Sequence, residues 1–192
     1  MKRLIVNAML VVFLGAAGAE AAAAQSAGAG GILDWIHKLS GPQFFGVGIT
    51  AYGTLQGESG IRARLSVVHR WSIDEEEEVI PPESNITMWT LQPTLEFPLK
   101  DVPLELVVGV AFHRFQKDVD PFWHYSVPVL IQGRFPVNSS KSVLLRPGVG
   151  IHVFPAFGPN DFLPLNVDVS RDTAELVLQL FVGIDFRLTG LR

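Results

Sequence analysis

Apolar and polar residues alternate along most of the chain after residue 43. In one such stretch Leu104, Leu106 and Val108 occupy every second position, with Glu105 between the first two. Strict alternation is the side-chain period of a β-strand whose two faces differ. Seven segments show it clearly: 44–51, 61–67, 89–97, 104–113, 123–134, 145–153 and 175–186. A weaker segment, 163–169, is a candidate for an eighth strand.

The first residues have the pattern of an export signal. Lys2 and Arg3 precede a mostly apolar run over 4–18, and Ala22-Ala23-Ala24 offers a small-residue cleavage site before Gln25. The apolar run is shorter than the ~20 residues that a bilayer-spanning helix needs. We therefore predict a cleaved signal peptide over 1–24, with an uncleaved anchor as the alternative. No later apolar run is long enough for a spanning helix, so a membrane-bound mature chain would have to cross with strands.

A short amphipathic helix is expected between the signal peptide and the strands. Four apolar residues follow the helical spacing i, i+3, i+4, i+7, namely Ile32, Trp35, Ile36 and Leu39. Gly41-Pro42 would end this helix. The expected organisation is thus a signal peptide over 1–24, an N-terminal segment with a short helix over 25–43, and a β-barrel over 44–192.

Two kinds of barrel fit the alternation. A soluble barrel points its apolar face inward, whereas a membrane barrel points it at lipid. Two features favour lipid: the strands are long compared with the usual 5–6 residues of globular strands, and their apolar faces are nearly free of charge. The charged residues gather on the opposite face, and those predicted to form an interior ion-pair network are Arg62, Arg64, Glu96, Glu105, Arg134, Arg146 and Asp185.

Aromatic residues at the strand ends point the same way. They form two candidate belts, as expected where rings meet lipid headgroups: Trp71, Trp89, Phe112, Trp123 and Tyr125 at one end, and Phe97 and Phe135 at the other. The predicted fold class is all-β, a closed antiparallel up-and-down transmembrane β-barrel of about eight strands. Over Phe44 to Leu188 the chain resembles, in pattern, the small eight-stranded outer-membrane barrels such as the OmpA- and OmpW-like domains. The resemblance implies a location in the bacterial outer membrane, in contact with its lipid.

The composition of the chain argues against several kinds of partner and binding site. A formal net charge of −4 and a pI near 5.7 argue against a nucleic-acid partner, because phosphate affinity depends on clustered Lys and Arg. Without cysteine there is no disulfide and no thiolate metal site. The five histidines show no metal-ligand spacing, so neither a metal nor a cofactor is expected.

An eight-stranded barrel has an interior just wide enough for side chains to fill it. Buried charges are costly unless they are paired. The network therefore predicts a plug of ion pairs rather than an open pore, and a gated ion path is the alternative. On this basis we expect Arg134→Ala to loosen the barrel more than to change conductance.

One pair of residues is a candidate catalytic site. His124 and Ser126 lie two apart on one strand face, similar to the His-x-Ser pair of outer-membrane lipid A deacylases. A nucleophilic serine needs a base and a third group to orient that base, and Glu105 or Glu175 could be that group. The pair lies on the predicted inward face, which a lipid acyl chain does not easily reach. An interior hydrogen-bonded histidine is the alternative, and no enzymatic activity is expected.

The loops remain as the expected functional surface. Residues 74–78 are all acidic and could attract a basic protein or a cation, although they lack the spaced ligands of a calcium loop. The expected role is structural or interaction-based. The alternatives are a soluble periplasmic or secreted barrel that binds an apolar ligand, and a lipid-modifying hydrolase. The sequence allows either set of loops to face the periplasm.

Overall fold

The computed structural model describes six stretches of the chain: 27–38, 43–55, 60–73, 87–116, 122–154 and 175–188. The predicted signal peptide, the acidic run 74–78 and the weak strand candidate 163–169 lie outside them. No helix among the described residues is long and apolar enough to cross a membrane.

The described residues form ten antiparallel strand segments. They are β1 (Ala27–Lys38), β2 (Gln43–Thr54), β3 (Arg62–Ser72), β4 (Thr87–Pro98), β5 (Leu104–Gly109), β6 (Ala111–Gln116), β7 (Phe122–Gly133), β8 (Phe135–Pro136), β9 (Val143–Phe154) and β10 (Glu175–Leu188).

These segments make a closed barrel of eight spanning strands. Each strand pairs with its sequence neighbour, and β1 pairs with β10 to close the cylinder. The segments β5 and β6 are one spanning strand, since both pair with β4 and with β7. Their interruption lies opposite Pro93, which has no N–H to return the bond that Val110 N donates to its carbonyl oxygen at 3.1 Å. β7 and β8 likewise share one place in the wall beside β9.

The predicted N-terminal helix is wrong, because residues 27–38 form β1. In that strand Ile32 lies opposite Gly183 of β10 on one side and Gly48 of β2 on the other. A helix would leave the edges of β2 and β10 unpaired, and an unpaired backbone exposed to hydrocarbon is not tolerated. The barrel therefore begins at Ala27 rather than at residue 44, and β1 is its eighth strand.

The two faces of the wall differ as in a membrane barrel. Outward side chains are apolar and exposed, for example Ile49 at 71% and Leu176 at 52%. Inward side chains include fully buried charges such as Glu96, Asp185 and Arg70. This is the reverse of a soluble barrel that binds an apolar ligand. An apolar outside around a charged inside is the build of single-chain barrels of bacterial outer membranes, so the chain is an outer-membrane β-barrel.

The two rims of the barrel differ in the connections they carry. At one rim, called here the turn rim, the connections are 55–61, 99–103 and 137–142, and Ala27 and Leu188 lie there too. At the other, called here the loop rim, the connections are 39–42, 73–86, 117–121 and 155–174. Because the first strand begins at Ala27, the strand ends that flank the 73–86 connection, Ser72 and Thr87, lie at the opposite rim from Ala27 and Leu188.

Candidate functional site: the barrel interior

Inward side chains stack in four layers along the barrel axis. From the turn rim these are a salt-bridge cluster, an apolar layer, a hydrogen-bonded polar belt and a second apolar layer. Inward residues follow one another at every second position, so each strand contributes to successive layers. Along β3, for example, Arg62 and Arg64 belong to the first layer, Val68 to the second and Arg70 to the third.

The salt-bridge cluster is organised around Glu96 of β4, whose side chain is fully buried. Arg62 Nε lies 2.9 Å from Glu96 Oε2, and Arg64 Nε donates to Glu96 Oε1. Gln132 Nε2 of β7 donates to Glu96 Oε1 at 3.0 Å. Arg62 and Arg64 project from the strand next to β4, and Arg62 is directly opposite Glu96 in the register. Glu96 is thus a buried carboxylate that receives charged donors from its neighbour strand and an amide from further round the wall.

Two further carboxylates complete this cluster. Glu105 pairs with Arg62 and accepts from Gln132 Nε2 at 2.8 Å. Asp185 of β10 accepts from Arg64 Nη2 at 2.7 Å. Arg146 Nε lies 2.8 Å from Asp185 Oδ2. These pairs tie β3, β4, β5, β9 and β10 together across the lumen.

The structure thus gathers all seven residues of the predicted network at one end. Arg134 is its outlying member, because its Nη1 lies 3.9 Å from Glu105 Oε1 and its side chain stays 16% exposed at the turn rim. Sequence reasoning missed Gln132, which joins two of the carboxylates. Its position in the sequence could have indicated this role, because Gln132, Leu130 and Pro128 occupy every second position of β7, on the face that points inward.

The polar belt is a closed ring of hydrogen bonds around the barrel. Arg70 of β3 pairs with Asp34 of β1 and donates to Thr90 of β4. Thr90 Oγ1 lies 2.9 Å from His113 Nδ1 of β6, and His113 Nε2 lies 2.8 Å from Ser126 Oγ of β7.

From Ser126 the ring continues back to its start. Ser126 Oγ lies 2.7 Å from His152 Nδ1 of β9, and His152 Nε2 lies 2.7 Å from Gln179 Oε1 of β10. Gln179 Nε2 then donates to Asp34 Oδ2 at 2.9 Å. Seven of the eight spanning strands contribute one side chain each to this ring.

The one spanning strand that supplies no side chain to the ring is β2, which has a glycine at this level. Gly46 is the register partner of both Asp34 and Arg70. A Cβ built on Gly46 would collide with Asp34 Oδ1 and Arg70 Cγ. The missing side chain therefore gives the ion pair the space to form across β2.

One donor order satisfies every group in the belt. Arginine can only donate and carboxylate can only accept, so the order runs from Arg70 through Thr90, His113, Ser126, His152 and Gln179 to Asp34. Each histidine then accepts at Nδ1 and donates from Nε2, which is the neutral Nε2–H tautomer.

This ring places the candidate catalytic residues differently from the sequence expectation. Ser126 is fully buried, and the histidines that hydrogen-bond it are His113 and His152. His124 Nδ1 lies 2.9 Å from the carbonyl oxygen of Tyr125. Glu105 lies in the salt-bridge cluster, and Glu175 lies at the loop-rim end of β10. No group of metal-ligating side chains that could hold an ion occurs among the described residues.

Apolar layers separate and cover the polar ones. The layer between the salt bridges and the belt contains the apolar cluster of Ile32, Val68, Val107, Leu130 and Phe181. On the β3–β4 side the buried polar residues Ser66 and Gln92 lie at the same level. The layer above the belt, toward the loop rim, consists of Ile36, Phe44, Met88, Phe115, Phe154 and Val177. Beside Phe181 and Arg146 a small cavity leaves about 20 Å³ for the centres of water-sized molecules, which is room for about one water.

The predicted aromatic belt residues other than Trp123 lie on the outer wall. At the loop-rim end, Trp71 packs edge-on against Phe45 with ring centroids 5.2 Å apart, and Trp89 is largely exposed. Phe112 and Tyr125 are register partners on β6 and β7. Trp123 belongs to β7, but its side chain lies outside the described part. Toward the turn rim, Phe97 is on β4, and Phe135 of β8 is exposed.

The sequence of this chain has no match among protein-family models and no significant match among curated proteins. Its structure is similar to Neisserial surface protein A (NspA), with a TM-score of 0.52 at 13% identity over 84% of this chain and 95% of that chain. It also aligns with Ail, the attachment invasion locus protein of Yersinia pestis, with a TM-score of 0.45 at 10% identity over 85% of this chain and 97% of that one. The fold is that of a small eight-stranded outer-membrane β-barrel.

Proposed function

We propose that this chain is a closed, non-conducting barrel of the outer membrane that acts through the connections at its loop rim. The observation that carries the proposal is the sequence of interior layers. A permeating ion would have to break the ring of hydrogen bonds at the belt and pass the apolar clusters on either side of it. The cavity beside Phe181 and Arg146 has room for about one water.

The layered interior also argues against a lipid-modifying hydrolase. Ser126 is covered on its loop-rim side by the layer that contains Phe115 and Phe154. Its hydroxyl is engaged with two histidines, and it faces the lumen rather than the lipid. An acyl chain at the outer wall would have no access to it. The role is therefore non-enzymatic.

The orientation follows from the lengths of the connections. Outer-membrane barrels usually have short periplasmic turns and longer outer loops. The connections 73–86 and 155–174 are the longest, and both are at the loop rim. We place the loop rim outside the cell and the turn rim in the periplasm.

Electrical recording in planar bilayers tests the closed state. The purified chain should give no unit conductance above the bare bilayer, while heat-modifiable gel migration shows that it is folded. Arg134→Ala should lower thermal stability and still give no steps, since Arg134 lies outside the belt and the apolar layers. Regular current steps from the folded wild-type chain would refute the proposal, and so would absence of the chain from the outer-membrane fraction.

The acidic run at 74–78 supports a basic partner at the loop rim. Five neighbouring carboxyl groups favour a cationic ligand through a salt-sensitive attraction. An oligolysine peptide should bind the wild-type chain in detergent at low salt. Replacing all five residues with serine should abolish that binding without changing heat-modifiable migration. Equal binding by both forms would contradict this part of the proposal.

A further inference from the structure

Most of the buried polar side-chain atoms that lack a hydrogen-bond partner, among the described residues, lie in the turn-rim half; His37 Nδ1 lies at the other end. Among the described residues, no hydrogen-bond partner is found for Tyr52 Oη, for Arg134 Nε and Nη2, or for Arg187 Nε. Tyr52 is only 5% exposed. Polar groups buried in this way are normally satisfied, because leaving them unpaired forfeits their hydration. Their common chemistry points to an acceptor that comes from outside the barrel wall.

The charges at this end are also unbalanced. The inward side chains of the turn-rim half, within the described residues, include five guanidinium groups: Arg62, Arg64, Arg134, Arg146 and Arg187. They face three carboxylates, Glu96, Glu105 and Asp185. All three carboxylates are already bonded to arginines deeper in the cluster. Arg134 shares Glu105 with Arg62 through one long contact of 3.9 Å, and no carboxylate of the described residues is paired with Arg187.

The unpaired donors converge because of one glycine. Tyr52 and Arg187 are both register partners of Gly28, on opposite sides of β1. A Cβ built on Gly28 would lie only 2.5 Å from Cε1 and Cζ of the Tyr52 ring and from the carbonyl oxygen of Phe186. The tip of the ring therefore lies over Gly28, which directs the hydroxyl toward the strand that carries Arg187.

Arg134 reaches the same place from the opposite wall. It lies between β7 and β8, in the wall across the barrel from β2, and its Cζ is nevertheless 5.7 Å from the centroid of the Tyr52 ring. Arg64 Cζ lies 4.8 Å from the same ring, on the cluster side. Arg134 is partly exposed, so this mouth can be reached from the aqueous side of the turn rim.

We propose that the turn-rim mouth binds a small oxyanion of the phosphate class, held by Arg134, Arg187 and the Tyr52 hydroxyl. A guanidinium presents paired N–H donors that match the oxygens of such an anion. The tyrosine hydroxyl adds a neutral donor from the buried side. One bound oxyanion supplies acceptors for the unpaired donors and offsets the excess of positive charge. This site goes beyond the proposed role of the loop rim and lies at the other end of the barrel.

Calorimetric titration with inorganic phosphate tests the site. The folded full chain in detergent is titrated at constant ionic strength, with chloride as the balancing anion. Phosphate should bind saturably at one site per chain. Tyr52→Phe should weaken binding about tenfold, as expected when one hydrogen bond to a charged group is lost. Arg134→Gln removes a charge and two donors and should weaken binding further. Lys141→Gln is the matched control, since it removes a positive charge from an exposed turn at the same rim, and it should leave the affinity unchanged.

Tyr52→Phe is the decisive variant. It keeps the ring that packs against Arg64 and Arg134 and removes only the hydroxyl, so the barrel should remain folded by heat-modifiable migration. No saturable phosphate binding by the wild-type chain would overturn the proposal. Unchanged affinity in Tyr52→Phe would overturn it too, and so would an equal loss in Lys141→Gln, which would indicate diffuse attraction by surface charge.

Discussion

Arg70 and Asp34 form an ion pair across a strand that supplies no side chain at their level. Arg70 Nε lies 3.0 Å from Asp34 Oδ1 and 3.1 Å from Oδ2, and Gly46 of β2 lies between the two residues in the register. The pair is fully buried in the polar belt. It is the only place in the described belt where the ring skips a strand, so its geometry depends on that glycine.

Gly46→Ala should destabilise the barrel. The added methyl group would collide with Asp34 Oδ1 and Arg70 Cγ, and overpacking of this kind costs about 1–3 kcal/mol. Denaturant unfolding in lipid vesicles, followed by tryptophan fluorescence, measures the loss. Gly31→Ala is the control, because the new Cβ would meet only the Gly48 carbonyl oxygen at an ordinary 3.8 Å. Equal stability of the two variants would contradict this account.

The pair itself should show strong coupling. Asp34→Asn or Arg70→Met alone leaves one buried charge unpaired, which costs about 3–5 kcal/mol. The double variant removes both charges and should lose less than the sum of the two single losses, by ~1–3 kcal/mol. The free energy of unfolding of all four proteins completes the cycle. Simple additivity would mean that the two side chains are energetically independent.

Glu96→Gln should be among the most damaging single changes in the salt-bridge cluster. The neutral amide would leave Arg62 and Arg64 short of the carboxylate that both of them contact, at a cost of about 3–5 kcal/mol. Thermal unfolding in detergent measures the effect, and Lys100→Gln in an exposed turn is the single-charge control. A small loss, equal to that of the control, would contradict the central role of Glu96.

Both belt histidines should be neutral Nε2–H tautomers. The donor order from Arg70 to Asp34 requires Nδ1 of His113 and of His152 to accept a hydrogen bond. Nitrogen NMR chemical shifts of the two imidazoles distinguish protonated from unprotonated ring nitrogens. A proton on Nδ1 of either histidine would show that the order is different.

Ser126→Ala should cost stability rather than an activity. The change removes the acceptor of His113 Nε2 and the donor to His152 Nδ1, and each unsatisfied buried group costs about 1–3 kcal/mol. Ser140→Ala in the exposed turn is the control. Chemical unfolding is compared with the acylation of lipid A in cells that express each form. Altered acylation in the Ser126 variant alone would favour the hydrolase alternative.

The eight-strand barrel could be predicted from alternation, but β1 could not. In β3 and β4 the inward residues are mostly polar or charged, so the two faces differ in the sequence. In β1 the inward residues Ile32 and Ile36 are apolar, like the outward Leu33 and Trp35. The period of two is therefore hidden, and the helical spacing of the same residues is accidental. The strand forms because β2 and β10 would otherwise have open edges.

The interior was partly predictable for a related reason. Charges such as Arg62 and Glu96 are conspicuous on the polar face, so alternation alone assigned them to the interior. The belt was missed because Thr90 and Gln179 are ordinary polar residues, and Asp34 lies in the segment that was predicted to be a helix. Nothing local in the sequence indicates that residues so far apart along the chain lie at one height in the barrel. The height of each residue along the barrel axis is set by the register of strand pairing, and that register is known only from the closed barrel.

The hydrogen bonds of the belt are all donated in one direction around the ring, and only Arg70 and Asp34 fix that direction. The hydroxyls, the imidazoles and the amide can each reverse, by rotation or by moving a ring proton, while arginine and aspartate cannot. Exchanging the ends, with Asp34→Arg and Arg70→Asp together, would therefore invert every bond of the ring without changing its connectivity. The two directions of donation require opposite tautomers at His113 and His152. The residues at positions 34 and 70 therefore set which ring nitrogens are protonated throughout this cross-section of the barrel.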